Sequence, residues 1–146
     1  MAYWKFTKAI FAGDPIDVYN HGKMKRDFTY IDDVADAICR LIAKPPHPVD
    51  EEAGDVPSLG SSCAPWTVLN VGNNDPVKLM DFIKVIEKCV GKKARIEMQA
   101  MQPGDVPATY ADTQCIHSAI GFTPKTKIGT GIKQFVDWFR QYYIER

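Results

Sequence analysis

The chain has 146 residues, 45% hydrophobic and 25% charged, and its 18 basic and 18 acidic side chains cancel to a net charge of zero. That length supports one domain with a real core, and the neutral balance gives no electrostatic footprint for nucleic acid. No apolar run approaches the roughly 18 residues of a membrane span, and no charged segment leads into an apolar run with a cleavage site, so no signal peptide is expected.

In chain order, residues 2–12 predict a helix with Ala2, Phe6, Ala9 and Ile10 on one face and Gly13 as its stop. Tyr3, Trp4 and Phe11 widen the apolar surface beyond one stripe. Ile16 to Asn20 alternate as a short strand. A polar loop with His21, Gly22 and Lys23 then delivers the chain to Arg26-Asp27-Phe28-Thr29-Tyr30-Ile31-Asp32-Asp33, the stretch around which the rest is organised. It places one cation beside an aromatic, extended run that turns into a helix over 31–43. The apolar face of that helix is Ile31, Val34, Ala35, Ile38, Leu41 and Ile42. Lys44-Pro45-Pro46 ends the helix. Residues 44–65 are Pro-rich and predict a long mobile loop, with Asp50-Glu51-Glu52 as a solvated acidic tip.

Trp66 to Val71 is a β-rich run suited to a buried strand. Asp75 and Pro76 predict an N-cap and first helical residue. The helix that follows buries Leu79, Phe82, Ile83, Ile86 and Val90 and stops at Gly91. Ala94 to Met98 forms a third strand, Gln102-Pro103-Gly104-Asp105 a loop, and Asp112 opens a short helix ending near Gly121. The last helix, 129–144, presents Ile132, Phe135, Val136, Phe139 and Tyr143. The fold class expected is α/β: a small mixed domain of about five helices and three or more short strands, one lobe spanning residues 1–146. Cys39, Cys63, Cys89 and Cys115 lie 24 to 26 residues apart. Without a Cys-x-x-Cys they predict reduced thiols in a cytoplasmic protein and no metal site.

Taken alone, Arg26 has two readings. It pairs with Asp27 or Asp33 on a solvated surface, or its planar fork binds phosphate or carboxylate. His21 has no orienting partner beside it and predicts a solvated side chain. Asn70 and Asn73 predict turn residues, and Asp33 and Asp112 helix caps.

Arg26-Asp27-Phe28 with Tyr30-Ile31 and Asp33, followed by an amphipathic helix, resembles the C-terminal lobe of extended short-chain dehydrogenase/reductases acting on nucleotide sugars. Further pieces match in order. Pro15-Ile16-Asp17-Val18-Tyr19-Asn20 resembles the base-binding strand, and Leu69-Asn70-Val71-Gly72-Asn73 resembles the "YNxG" strand. Gln102-Pro103-Gly104-Asp105-Val106 and Thr109-Tyr110-Ala111-Asp112 resemble the second nucleotide-contacting loop. The likeness runs over nearly the whole chain. Gln102, with Met1-Ala2-Tyr3-Trp4, is most similar to the UDP-glucuronate 4-epimerase branch of this NAD-dependent epimerase/dehydratase family.

The resemblance implies a UDP-sugar as partner. Tyr19 would stack on the base, the backbone of Asp17 and Val18 would read its edge, Arg26 would bind the pyrophosphate, and Asp105 would accept the ribose hydroxyls. Many family members carry an arginine where this chain has Gln102, which donates only neutral hydrogen bonds. The family's parent reaction inverts C4 of a UDP-hexuronic acid, with NAD taking and returning a hydride. Its glycine-rich turn and its Tyr-x-x-x-Lys pair with a nearby Ser or Thr have no counterpart here. Tyr19-x-x-x-Lys23 has the spacing but falls in the base-binding strand. The expectation is therefore a substrate lobe without the NAD-binding Rossmann lobe: no catalytic residue, no cofactor in this chain, and exposed apolar surface favouring a homodimer or larger species. A freestanding nucleotide-sugar-binding module, or an inert truncated fragment that oligomerises, remains the alternative. Within the enzymes, a UDP-glucuronate decarboxylase or nucleotide-sugar dehydratase shares much of this lobe.

Overall fold

The computed structural model describes residues 1–48, 64 and 66–145. The acidic tip, Cys63 and most of the expected 44–65 loop lie outside the described residues. The chain packs as two compact units. One comprises Met1–Phe28, Asp75–Tyr110 and Thr126–Arg146, the other Thr29–Asn74 and Ala111–Lys125.

The described residues form five helices and four short strands, in keeping with the expected α/β class. In the first unit, α1 (Ala2–Ala12) ends at Gly13, whose φ of 81° lets its N–H reach back to the Ala9 and Ile10 carbonyls. β1 (Pro15–Val18) pairs in parallel with β4 (Arg95–Met98), Ile16 opposite Ile96 and Val18 opposite Met98. β2 (Lys25–Arg26) pairs antiparallel with β3 (Val77–Lys78), Arg26 opposite Val77. α3 (Leu79–Val90) and α5 (Ile128–Tyr143) complete the unit.

The core of this unit is the apolar stripe of α3 laid on α1 and α5. Ile10, Phe82, Ile86, Val90, Ile132 and Val136 are buried together, and Ile16, Val18 and Ile83 close the side under β1. Phe28 stacks on fully buried Phe82 at 4.5 Å. The chain leaving β2 is thereby anchored to the core, since a buried aromatic pair adds about 1 kcal/mol beyond its burial. The α1 aromatics do not form a free surface. Tyr3 meets Phe135 edge-on at 4.8 Å, Trp4 meets Phe139 at 4.9 Å, and Phe11 stacks on Phe139. The rings left half open are Trp138, Tyr142 and Tyr143 on α5. Arg140 donates to the Cys89 and Val90 carbonyls and lies over the Phe11 ring, so α5 satisfies the C-terminal end of α3.

In the second unit, α2 (Ile31–Ile42) and α4 (Gln114–Ile120) bury Ala37, Ile116 and Phe122, with Leu41, Leu69 and Val71 packed around them. Here the expected apolar face of α2 is corrected. Ile31, Ile38 and Ile42 are exposed, because the contact made within the unit runs along Ala37 and Leu41.

Two further expectations differ from the structure. Residues 66–71 form no strand beyond a single bridge at Thr67: Trp66 and Val68 are exposed, while Leu69 and Val71 turn toward the small core. A β-rich run becomes a strand only where a partner meets it along several residues. Asp75 is not a helix cap. Its N–H donates to Asp27 Oδ1 at 3.5 Å, and the chain spends Val77 and Lys78 in β3 before α3 begins at Leu79.

Glu87 closes the turn from α3 to β4, accepting the Ala94 N–H at 2.9 Å and the Lys93 ammonium at 2.9 Å. Burial pushes its carboxyl up, but these two bonds outweigh burial and hold it below the ordinary value. A carboxylate with a depressed folded pKa stabilises the fold above its unfolded pKa and loses that contribution as pH falls through the folded value. Glu87→Gln should therefore cost on the order of 1 kcal/mol at about pH 7 in urea unfolding, with the gap to the unsubstituted protein closing as pH falls below the ordinary glutamate range.

Candidate functional site

The site is built on β2. Lys25 N–H donates to the Pro107 carbonyl at 2.8 Å, Thr109 N–H returns a bond to the Lys25 carbonyl at 3.2 Å, and Lys25 bridges Ala108 in the parallel sense. Asp27 N–H donates to the Thr109 hydroxyl at 3.1 Å. With β3 paired as well, two residues of strand gather segments more than fifty and eighty positions away.

The consequence is a contact between two of the predicted ligand residues. Arg26 Nη2 donates to Asp105 Oδ1 at 2.7 Å, both side chains about 30% exposed. Arg26 Nη1 donates to the Lys25 carbonyl at 2.9 Å, which leaves Nε–H and one hydrogen on each terminal nitrogen uncommitted among the described residues. The carboxylate that Arg26 meets is that of Asp105. Asp27 Oδ1 takes the Asp75 N–H and Asp33 Oδ1 the Lys125 N–H. Asp112 is not the N-cap expected: Thr113 takes that position, and Asp112 Oδ1 accepts the Gln114 N–H from one residue before it. Gln102 is exposed, and its carbonyl accepts the Asp105 N–H across a turn in which Gly104 has φ 81°.

Asp17 and Tyr19 line a separate cleft of about 420 Å³ with Lys5, Phe6, Ala9 and Ile16. Its lining includes one lysine, one carboxylate and two aromatic rings, Phe6 and Tyr19, among apolar side chains. Asp17 Oδ1 accepts Gln99 Nε2 at 2.9 Å, and the Val18 carbonyl accepts the Gln99 N–H at 3.0 Å. Val18 is fully buried and does not line the cleft, so the structure does not bring it to a ligand-accessible position beside Asp17 and Tyr19. Tyr19 is not the fourth strand residue expected. The strand ends at Val18, and Tyr19–Gly22 form a 3₁₀ turn with Asn20, His21 and Gly22 all at positive φ.

Sequence reasoning missed Lys5 and Gln99. The α1 period places Lys5 beside Ala2, Phe6 and Ala9, so that signal was available. Gln99 follows only from the β1–β4 register, one position beyond Val18 opposite Met98.

The groups with displaced titration lie outside these residues. Burial and the nearby Asp137 push the Cys89 thiol up, which keeps it protonated, and Lys133 is raised by its bond to Asp137. A dinucleotide pyrophosphate is held where a glycine-rich turn leads a strand into a helix. Gly13, Gly91 and Gly121 instead close helices, and Gly22 and Gly104 sit in turns. None of these five forms a strand-to-helix turn of that kind.

The GDP-mannose 4,6-dehydratase family model matches residues 5–135. Protein CapI of Staphylococcus aureus is 52% identical over 143 residues, covering 98% of this chain and 43% of CapI. A probable UDP-glucuronate 4-epimerase of Rhizobium meliloti (strain 1021) is 42% identical over 144 residues, covering 98% of this chain and 42% of the relative. Among solved structures, MoeE5 in complex with UDP-glucuronic acid and NAD superposes with a TM-score of 0.75 at 27% identity, over 97% of this chain and 42% of MoeE5. The UDP-glucuronic acid 4-epimerase of Bacillus cereus with UDP-glucuronic acid and NAD gives 0.77 at 23% identity, over 98% of this chain and 40% of that enzyme, a likeness of fold. The chain thus spans less than half the length of these relatives.

Gly22 carries the turn behind Tyr19. Its φ is 76°, and a Cβ there would lie 2.7 Å from the Met80 sulfur and 3.6 Å from Val18. Gly22→Ala should lower unfolding free energy by about 1–2 kcal/mol, read by chemical denaturation.

Proposed function

The chain belongs to the GDP-mannose 4,6-dehydratase family of NAD-dependent nucleotide-sugar epimerases and dehydratases, and we propose that it is the UDP-sugar-binding lobe of a UDP-hexuronic acid 4-epimerase. The observation that carries this reading is the placement of Arg26, on β2, against Asp105 of the loop next to the segment bonded to that strand. A nucleoside diphosphate offers a flat base, a ribose diol and two charged phosphates. The free N–H groups of Arg26 suit the phosphates, a carboxylate oxygen of Asp105 suits the diol, and the cleft at Asp17 and Tyr19 suits the base. Gln102 adds a neutral donor beside them. The similarity to UDP-glucuronate 4-epimerases supports the choice of sugar.

In this role the chain binds and orients the nucleotide. It contributes no acid, base or hydride step, and both compact units belong to the one substrate lobe. The half-exposed Trp138, Tyr142 and Tyr143 beside α1 favour self-association around a two-fold axis, which would bury the same patch on both copies. Light scattering at about 10 μM should show a dimer or larger species. A sample containing one-chain particles alone would contradict that part of the reading.

Isothermal titration should find UDP bound weakly, on the order of millimolar to high micromolar, because loops must order on binding. Arg26→Ala should weaken it by about 1.5–3 kcal/mol, the range for a hydrogen bond to a charged group. With Gln102 in place of a second cation, the affinity should fall only modestly with salt. Equal affinity with and without Arg26 removes it from the site, and no UDP binding at all favours an inert, oligomerising fragment.

A further inference from the structure

We infer that Asp105 is a positioning residue for Arg26 as well as a ligand group: one carboxylate oxygen holds the guanidinium in a phosphate-receiving pose, and the other stays open to the ribose. The inference rests on the UDP-binding reading above and adds a coupling between its two polar subsites.

The division of labour is visible at the atoms. Asp105 Oδ1 accepts two bonds, from Arg26 Nη2 at 2.7 Å and from the Val106 N–H at 2.9 Å. Oδ2 accepts none among the described residues. The Val106 N–H fixes the carboxylate relative to its own backbone, so the carboxylate cannot swing with the arginine. That backbone is fixed relative to β2. The turn from Gln102 to Asp105 closes on one side, and Pro107 and Thr109 are bonded to Lys25 on the other. Carboxylate and guanidinium are therefore held on the same two residues of strand.

An arginine otherwise loses much rotamer freedom when it grips a ligand. Here that loss falls on folding, and binding is relieved of it. The effect matters more in this chain because Gln102 brings no second charge, which leaves Arg26 the one cation of the proposed diphosphate subsite. Pairing with Asp105 does not consume the guanidinium: the Lys25 carbonyl and Oδ1 take one hydrogen each, and Nε–H with one hydrogen on each terminal nitrogen remains for phosphate oxygens.

The test compares UDP with uridine, which lacks the phosphates, by NMR titration of the whole chain and of Arg26→Ala, Asp105→Asn and the double variant. The unsubstituted protein should prefer UDP by about tenfold or more. Asp105→Asn should reduce that preference to the level of Arg26→Ala, and the double variant should reduce it no further. If Asp105→Asn weakens UDP and uridine by the same factor, Asp105 serves the ribose alone and the inference fails. It fails equally if Asp105→Asn binds UDP more tightly, since the pair would then compete with the ligand. If Arg26→Ala leaves the preference unchanged, the phosphate assignment itself is wrong, and the coupling falls with it. One readout needs no variant. The Arg26 Nε–H order parameter in the ligand-free chain should approach the ~0.85 of rigid backbone, and a value below about 0.6 overturns the inference.

Discussion

Two residues of strand, Lys25 and Arg26, are the constraint on which the candidate site depends. β3 pairs with them, the 107–109 segment bonds to Lys25, and Phe28 just beyond stacks on the most buried ring of the core. Each tie is worth little alone, since one backbone hydrogen bond nets about 1 kcal/mol. Together they leave Arg26 no backbone freedom and bring Asp105 to it across 79 positions of sequence. The helices serve this arrangement indirectly. α3 supplies Phe82, α1 and α5 enclose it, and Arg140 satisfies the end of α3.

Local strain sits beside the other half of the site. Asn20 and His21 hold left-handed backbone although neither is glycine, at a cost of roughly 1–2 kcal/mol per residue. Asn20 Nδ2 donates to the Lys23 carbonyl and the His21 N–H to the Gln99 carbonyl, which offsets part of that cost. The turn ends β1 abruptly at Val18 and sets Tyr19 at the rim of the cleft. Strained backbone persists where the surroundings over-determine it, a pattern common at ligand sites.

Much of this was legible in the sequence because it is periodic or punctuated. α1, α3 and α5 follow from apolar spacing, their ends from Gly13 and Gly91, and β4 from its short β-rich run. Arg26 and Asp105 were named from their motif. The pairing that joins them was not legible, because it depends on Pro107 and Thr109 bonding to Lys25 across more than eighty positions, and β3 was hidden because Val77-Lys78 after Asp75-Pro76 carries a helix-start pattern. The 66–71 run and the α2 stripe misled for the converse reason. Their residues have the composition of buried elements, but burial needs a neighbour: Ile31, Ile38 and Ile42 face outward where Ala37 packs. Gln99 could be found only through the β1–β4 register, a long-range fact that no local window contains.

The central claim is that one nucleotide site joins the Asp17–Tyr19 cleft to the Arg26–Asp105 pair. The most direct measurement is a map of backbone amide shifts as UDP is added to the isotopically labelled chain up to about 10 mM, well above the weak affinity expected of it. The account predicts the largest changes at Asp17 to Tyr19, at Arg26 and across 102–106, all following one saturation curve. Changes confined to other residues, or different curves for the cleft and the ion pair, would contradict it.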